Sequence, residues 1–151
     1  MVPSPSVVLG VPSPRVIDVA NAYATFAANG VRSKPFMVKE VLGPNKGILY
    51  QARIENEQVF DDSVMADLNY TLGEVVRSGT AASALRGFGR PAAGKTGTSQ
   101  SNASAWFSGY TPQLATSIAF YRDDATQSLN GIGGLTSVTA AASQHESGTP
   151  I

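Results

Sequence analysis

The sequence predicts an α/β fold of the α+β type, an antiparallel sheet flanked by helices, and three observations carry that prediction. Apolar residues recur at helical spacing in two segments, Val16 to Ala27 and Val64 to Val76. Three strand-like runs, Ala92 to Ser99, Ala105 to Tyr110 and Leu114 to Tyr121, are joined by short turns, as in an antiparallel meander. At 151 residues, 42% of them apolar, the chain can hold one packed core and is short for two.

Each element has a local reason. Residues 1–15 contain four of the nine prolines (Pro3, Pro5, Pro12, Pro14) and read as an extended segment. Ser13-Pro14 offers an N-cap with proline at the first helical position. Val16, Val19, Ala20, Tyr23, Ala24 and Ala27 follow on one face, and Asn29-Gly30 is a good stop. Phe36 to Leu42 and Ile48 to Ala52 flank Gly43-Pro44-Asn45-Lys46-Gly47, which predicts a hairpin.

Asp61-Asp62-Ser63 opens the second helix, with acids and a capping hydroxyl at the positive end of its dipole. Val64, Leu68, Leu72, Val75 and Val76 are its expected buried stripe, closed by Ser78-Gly79. Gly87-Phe88-Gly89-Arg90-Pro91 leads into the first strand, and Gln100 to Ser104 turns the chain into the second. Thr111-Pro112-Gln113 turns it into the third, where Leu114, Thr116, Ile118 and Phe120 share a face by alternation. Beyond Asp124 the pattern dissolves. The expected division is an extended segment 1–15, a globular part 16–124, and a weakly patterned tail 125–151 for which disorder is one reading.

Composition removes several function classes. Eleven basic and 11 acidic residues balance without a basic stripe, which argues against nucleic acid. With no cysteine there is no disulfide, thiol nucleophile or cysteine zinc site. The single histidine, His145, lies beside Glu146 without ligand spacing, so neither a metal nor a cofactor is expected. No apolar stretch approaches the roughly 20 residues of a membrane span, and Met1-Val2-Pro3-Ser4-Pro5 does not open like a signal peptide. An envelope location would depend on sequence outside these residues. Asp61-Asp62 and Asp123-Asp124 read as a helix start and a turn, and Trp106, Phe107 and Tyr110 as sheet packing.

The chemically informative stretch is Gly89-Arg90-Pro91-Ala92-Ala93-Gly94-Lys95-Thr96-Gly97-Thr98. Gly89 to Thr96 satisfies the phosphate-cradling G-x-x-x-x-G-K-[ST] pattern. That motif needs a buried strand before it and a helix beginning at the lysine. Leu85-Arg86-Gly87-Phe88 is a poor core strand, and Gly97-Thr98-Ser99-Gln100 a poor first helical turn. The alternative places Lys95-Thr96-Gly97-Thr98 on an edge strand suited to an anionic peptide. Lys95 supplies positive charge, Thr96 and Thr98 offer hydroxyl donors to a carboxylate, and Gly97 clears room for a ligand backbone. A backbone N–H on such an edge can also face a developing oxyanion. A surface strand with a solvated lysine is the bland alternative.

The surrounding sequence resembles the bifunctional (class A) penicillin-binding proteins. Ala20-Asn21-Ala22-Tyr23-Ala24-Thr25-Phe26-Ala27, Gly30-Val31, Pro35-Phe36 and Val76 to Thr80 are similar to family segments in the same order. So are Gly94 to Ser99, Ala105 to Pro112 and Tyr121-Arg122-Asp123-Asp124. Lys-Thr-Gly is itself a signature of that group. The resemblance implies the C-terminal part of a transpeptidase domain with a partial penicillin-binding, β-lactamase-like fold. It implies a D,D-transpeptidase whose serine is acylated by a peptidoglycan stem peptide or a β-lactam. In that pattern Lys95 gives electrostatic support, Thr96 and Thr98 contact the carboxylate, and the Thr98 N–H is one oxyanion donor. An extracytoplasmic parent protein follows.

The sequence also departs from the family. The Ser-x-x-Lys carrying the nucleophile and its base occurs nowhere in the 151 residues, so no catalytic residue is expected in this chain. The only Ser-x-Asn, Ser128-Leu129-Asn130, follows Lys95 where the family has it before. Beyond Thr139 the sequence drifts from the family's last helix, which suggests truncation or altered sequence at that end. Expected partners are therefore stem peptide and β-lactam in a complete domain, the N-terminal part of that domain, or a second copy through exposed apolar surface. A non-catalytic peptide-binding module is the other reading.

Overall fold

A computed structural model describes residues 13–99, 103–121 and 139–144. The proline-rich segment 1–12, the turn at 100–102, Arg122 to Asp124, Ser128-Leu129-Asn130 and His145 lie outside the described residues. Helix α1 spans Val16–Ala27. Its N-cap is Arg15, not Ser13, and Pro14 stands before the cap. The Arg15 guanidinium grips Asp18 at 2.8 Å, and the Arg15 carbonyl accepts the Asp18 and Val19 N–H groups. An acid at the positive end of the helix dipole favours that start. Asn29 (φ 49°) and Gly30 (φ 87°) end the helix in the left-handed region. A Cβ on Gly30 would lie 2.6 Å from the Phe60 carbonyl oxygen, so glycine is required there twice over.

Strands β1 (Val31–Ser33) and β4 (Asn56–Gln58) pair antiparallel and enclose the predicted hairpin, β2 (Glu40–Leu42) with β3 (Ile48–Gln51). Three-residue strands are too short to leave a period, so β1 and β4 were not legible as strands. Ion pairs link Arg32 to Glu57 and Lys34 to Glu55, both at 2.9 Å.

Helix α2 spans Asp62–Arg77. Asp61 is its N-cap by backbone geometry, and neither it nor Ser63 supplies a side-chain cap. The buried stripe is shifted from the expected one. Met65 is 1% exposed and Leu72 is buried, whereas Val64 is 52% exposed. Met65 and Leu72 stand seven residues apart on one face, and each residue turns the helix by about 100°. Val64 therefore points well away from the contact.

The main sheet has the order β5-β6-β7-β8: Ala93–Thr98, Ser104–Thr111, Leu114–Tyr121 and Thr139–Gln144. Every neighbouring pair is antiparallel. β8 lies within the weakly patterned segment 125–151, of which only residues 139–144 are described. Thr139 to Gln144 (TAAASQ) shows no apolar alternation, so only the pairing of its backbone with β7 reveals the strand.

Register divides the sheet into two faces. Ala93, Tyr110 and Ala115 share one face with Lys95, Ser108 and Ser117, and with Gly97, Trp106 and Ala119. Gly94, Gly109 and Thr116 share the other with Thr96, Phe107 and Ile118, and with Thr98, Ala105 and Phe120. α1 lies on the first face, against β7, β8 and β6. Its Ala20, Ala24 and Ala27 are buried, as are Ala115, Ser117 and Ala119. Small residues on both sides allow close approach, and the Ser108 and Ser117 hydroxyls satisfy each other at 2.7 Å.

Candidate functional site

The candidate site is the outer edge of β5. Among the described residues no strand pairs with that side of it. The Lys95-Thr96-Gly97-Thr98 run lies wholly within β5, which continues through the lysine to Thr98. No helix begins at Lys95, so the phosphate-loop alternative lacks the helix N-terminus on which its chemistry depends.

Strand geometry decides where each group points. Past the end of β5, the Ser99 N–H donates to the Ser104 carbonyl across the β5–β6 connection. Amides alternate along an antiparallel strand, so the Thr98 and Thr96 amides face the open edge. The Lys95 ammonium agrees, donating to the Thr96 carbonyl oxygen at 2.8 Å. Lys95, Gly97 and Thr98 are exposed and Thr96 is half-buried. The edge thus carries unpaired backbone groups, one cation and two hydroxyls that share the face opposite α1.

Glycines on β5 do different work. A Cβ at Gly94 would lie 2.8 Å from the Ser108 carbonyl oxygen and 3.1 Å from the Phe107 ring. At Gly109, directly opposite, it would meet that ring at 2.9 Å. Gly94 and Gly109 form the floor on which Phe107 rests. At Gly97 the nearest atom would be the Trp106 Cβ at 3.6 Å, an ordinary contact. Nothing within the described chain requires glycine there.

Thr80 joins these residues from outside the motif. Its hydroxyl lies 2.6 Å from that of Thr96. It follows α2 at a tight bend, where the Ser78 and Gly79 N–H groups both donate to the Glu74 carbonyl oxygen. A Cβ on Gly79 would lie 2.7 Å from the Val75 Cα, so only glycine lets the chain pass so close to the helix. Ala81 is 2% exposed, and its N–H donates to the Val75 carbonyl. Reading the sequence for chemistry overlooked Thr80; the signal available was its place directly after the Ser78-Gly79 helix stop.

A second concavity, about 220 Å³, lies at the Ala93 end of β5 and is lined by none of the four motif residues. It holds a polar chain in which the Tyr110 hydroxyl donates to Asn69 and Asn69 donates to Asn29. The Tyr110 ionisation is pushed up to about 12, first by burial and then by neighbouring Tyr23. It is a neutral donor at any physiological pH. Trp106, Phe107 and Tyr110 are all partly buried sheet residues, and no helix described is long and apolar enough to cross a membrane.

Comparison with known proteins gives a consistent result. Residues 16–138 match the family profile described as penicillin binding protein transpeptidase domain. Penicillin-binding protein 1A of Mycolicibacterium smegmatis is 39% identical over 122 residues, covering 77% of this chain and 15% of that protein. The structure of penicillin-binding protein PonA1 from Mycobacterium tuberculosis aligns with a TM-score of 0.68 at 32% identity, covering 78% of this chain and 32% of that one. Penicillin-binding protein 1A from Haemophilus influenzae aligns at TM-score 0.77 and 19% identity over 85% of this chain and 25% of that one, a likeness of fold. The chain spans about 15% of the length of the curated relatives it matches.

Proposed function

The chain belongs to the penicillin-binding protein transpeptidase domain family, and on that footing we propose that it supplies the substrate-holding edge of a peptidoglycan D,D-transpeptidase. The observation that carries this reading is the open edge of β5, which bears the Thr98 N–H and Lys95 together with the Thr96 and Thr98 hydroxyls on the face opposite α1. A stem peptide ending in a carboxylate would lie along that edge as an added strand, its backbone passing over Gly97. Thr96 and Thr98 would donate to the terminal carboxylate, with Lys95 turning from the Thr96 carbonyl to add its charge.

Acyl transfer needs a nucleophile, and the Ser-x-x-Lys that supplies it in the family does not occur among these 151 residues. When such a serine attacks the scissile carbonyl, that oxygen becomes an oxyanion, and the Thr98 N–H is placed to receive it. One preorganised donor of this kind is worth about 3 kcal/mol of transition-state stabilisation. β-Lactams, which present a carbonyl and a carboxylate together, would occupy the same edge. An extracytoplasmic location goes with that substrate. The sheet face bearing Phe107, Ile118 and Phe120 would receive the rest of the domain or, in its absence, a second copy.

Amide shifts in a nuclear magnetic resonance titration with N-acetylated D-Ala-D-Ala test the reading. Shifts should cluster at Thr96 to Thr98 and vanish in Lys95→Ala and Thr98→Ala. Identical responses in all three proteins would overturn it. Fluorescent penicillin should leave no covalent band on this chain after denaturing electrophoresis; a labelled band would reveal a nucleophile of its own.

A further inference from the structure

We propose that Thr80 is a positioning residue: it holds the Thr96 hydroxyl so that the Thr96 proton is available to an anion at the β5 edge. This rests on the reading of that edge as a carboxylate site. The two hydroxyls are 2.6 Å apart, and either can donate. A hydroxyl has one proton. When Thr96 donates to Thr80, its proton is committed and only lone pairs remain, which repel a carboxylate. When Thr80 donates to Thr96, the Thr96 proton is free. An arriving anion therefore selects the second arrangement, giving a chain from Thr80 to Thr96 to carboxylate in which each bond polarises the next.

The structure supports a dedicated role through the way Thr80 is held. Thr80 sits between Gly79, whose missing Cβ allows the close pass over Val75, and Ala81, which is buried with its N–H bonded to the helix end. Its backbone is fixed on both sides while its side chain remains exposed. A threonine serving only solubility would not need its hydroxyl against another. Thr96 has no other side-chain hydrogen bond among those described, so Thr80 is the one polar constraint on its hydroxyl.

The test uses the full chain, with Thr80→Val removing the donor at constant shape and Thr80→Ser retaining it. Three-bond couplings should report one Thr96 χ1 rotamer in the unaltered protein and in Thr80→Ser, and averaging in Thr80→Val. The dissociation constant for N-acetylated D-Ala-D-Ala should rise about three- to tenfold in Thr80→Val, the equivalent of one hydrogen bond, with Thr80→Ser near the unaltered value. In a double cycle with Thr96→Val the Thr80 effect should disappear. A single Thr96 rotamer in Thr80→Val overturns the inference, as does binding that is unchanged or tighter. If the unaltered chain binds no peptide, the carboxylate reading fails, and the Thr96 couplings still decide whether Thr80 sets the rotamer.

Discussion

The two faces of the four-stranded sheet are built on opposite rules. The face under α1 is made of small residues, Ala115, Ser117 and Ala119 on β7, each at most 2% exposed. The opposite face of the same strand carries Leu114, Thr116, Ile118 and Phe120, none of them buried. Burial on the first face is nearly complete although each residue contributes little apolar area, because alanine meets alanine across a close helix–sheet approach. The second face holds the larger side chains and the hydroxyls of Thr96 and Thr98, and among the described residues no helix is laid over it at β7. Packing has been concentrated where side chains are smallest, and the bulk lies on the face that carries Thr96 and Thr98.

That contrast can be broken by making similar changes on both sides. Ala119→Phe should destabilise by about 3 kcal/mol, since added volume there must force α1 off the sheet. Thr116→Ile, which enlarges the other face of β7, should cost less than about 0.5 kcal/mol. Comparable losses in chemical denaturation would mean that the second face is as tightly filled as the first.

The glycines of β5 sharpen it further. Gly94→Ala sets a Cβ against the Ser108 carbonyl and Gly109 backbone, so about 2 kcal/mol of stability should be lost. Gly97→Ala meets only ordinary contact with Trp106. Its melting temperature should be nearly unchanged while binding of D-Ala-D-Ala peptide falls. A fold that tolerates Gly94→Ala would show that the Phe107 floor is adjustable.

Beneath α1, Ser108→Ala should cost about 1–2 kcal/mol by leaving the buried Ser117 hydroxyl without its partner. Adding Ser117→Ala should recover part of that loss, and thermal unfolding of the single and double variants measures it. The last effect, confined to alkaline pH, concerns Tyr110. Its ionisation is raised from 10.0 to about 12, so the folded state holds the proton more tightly than the unfolded chain. The associated stability is complete below pH 10 and is lost as pH rises through about 12. Burial raises the Tyr23 ionisation as well, so tyrosinate absorbance should show late-titrating phenols of which the latest disappears in Tyr110→Phe.

Much of this was legible in residue order. The alanines of α1 fall at helical spacing and the Asn29-Gly30 stop is where it was expected. The meander through β5, β6 and β7 followed from alternation and turn residues. Val64 was misplaced because a helical stripe read from apolar residues alone cannot say which of two adjacent ridges meets the sheet. β8 was missed because TAAASQ has no alternation, and its backbone pairing is a property of β7 as much as of itself. Thr80 was invisible as chemistry because it lies 16 positions from Thr96, and no spacing rule links a helix end to a strand.

By itself, then, the sequence determined the classes of element, their order and the run Lys95-Thr96-Gly97-Thr98. These depend on local periodicity, on turn residues and on short motifs whose chemistry is carried by adjacent side chains. Only the tertiary structure decided which face of β7 is buried, that the Thr98 amide looks outward from an unpaired edge, and that the Thr80 hydroxyl meets the Thr96 hydroxyl. Those facts depend on register and on the approach of distant segments, and both are set by packing across the whole sheet.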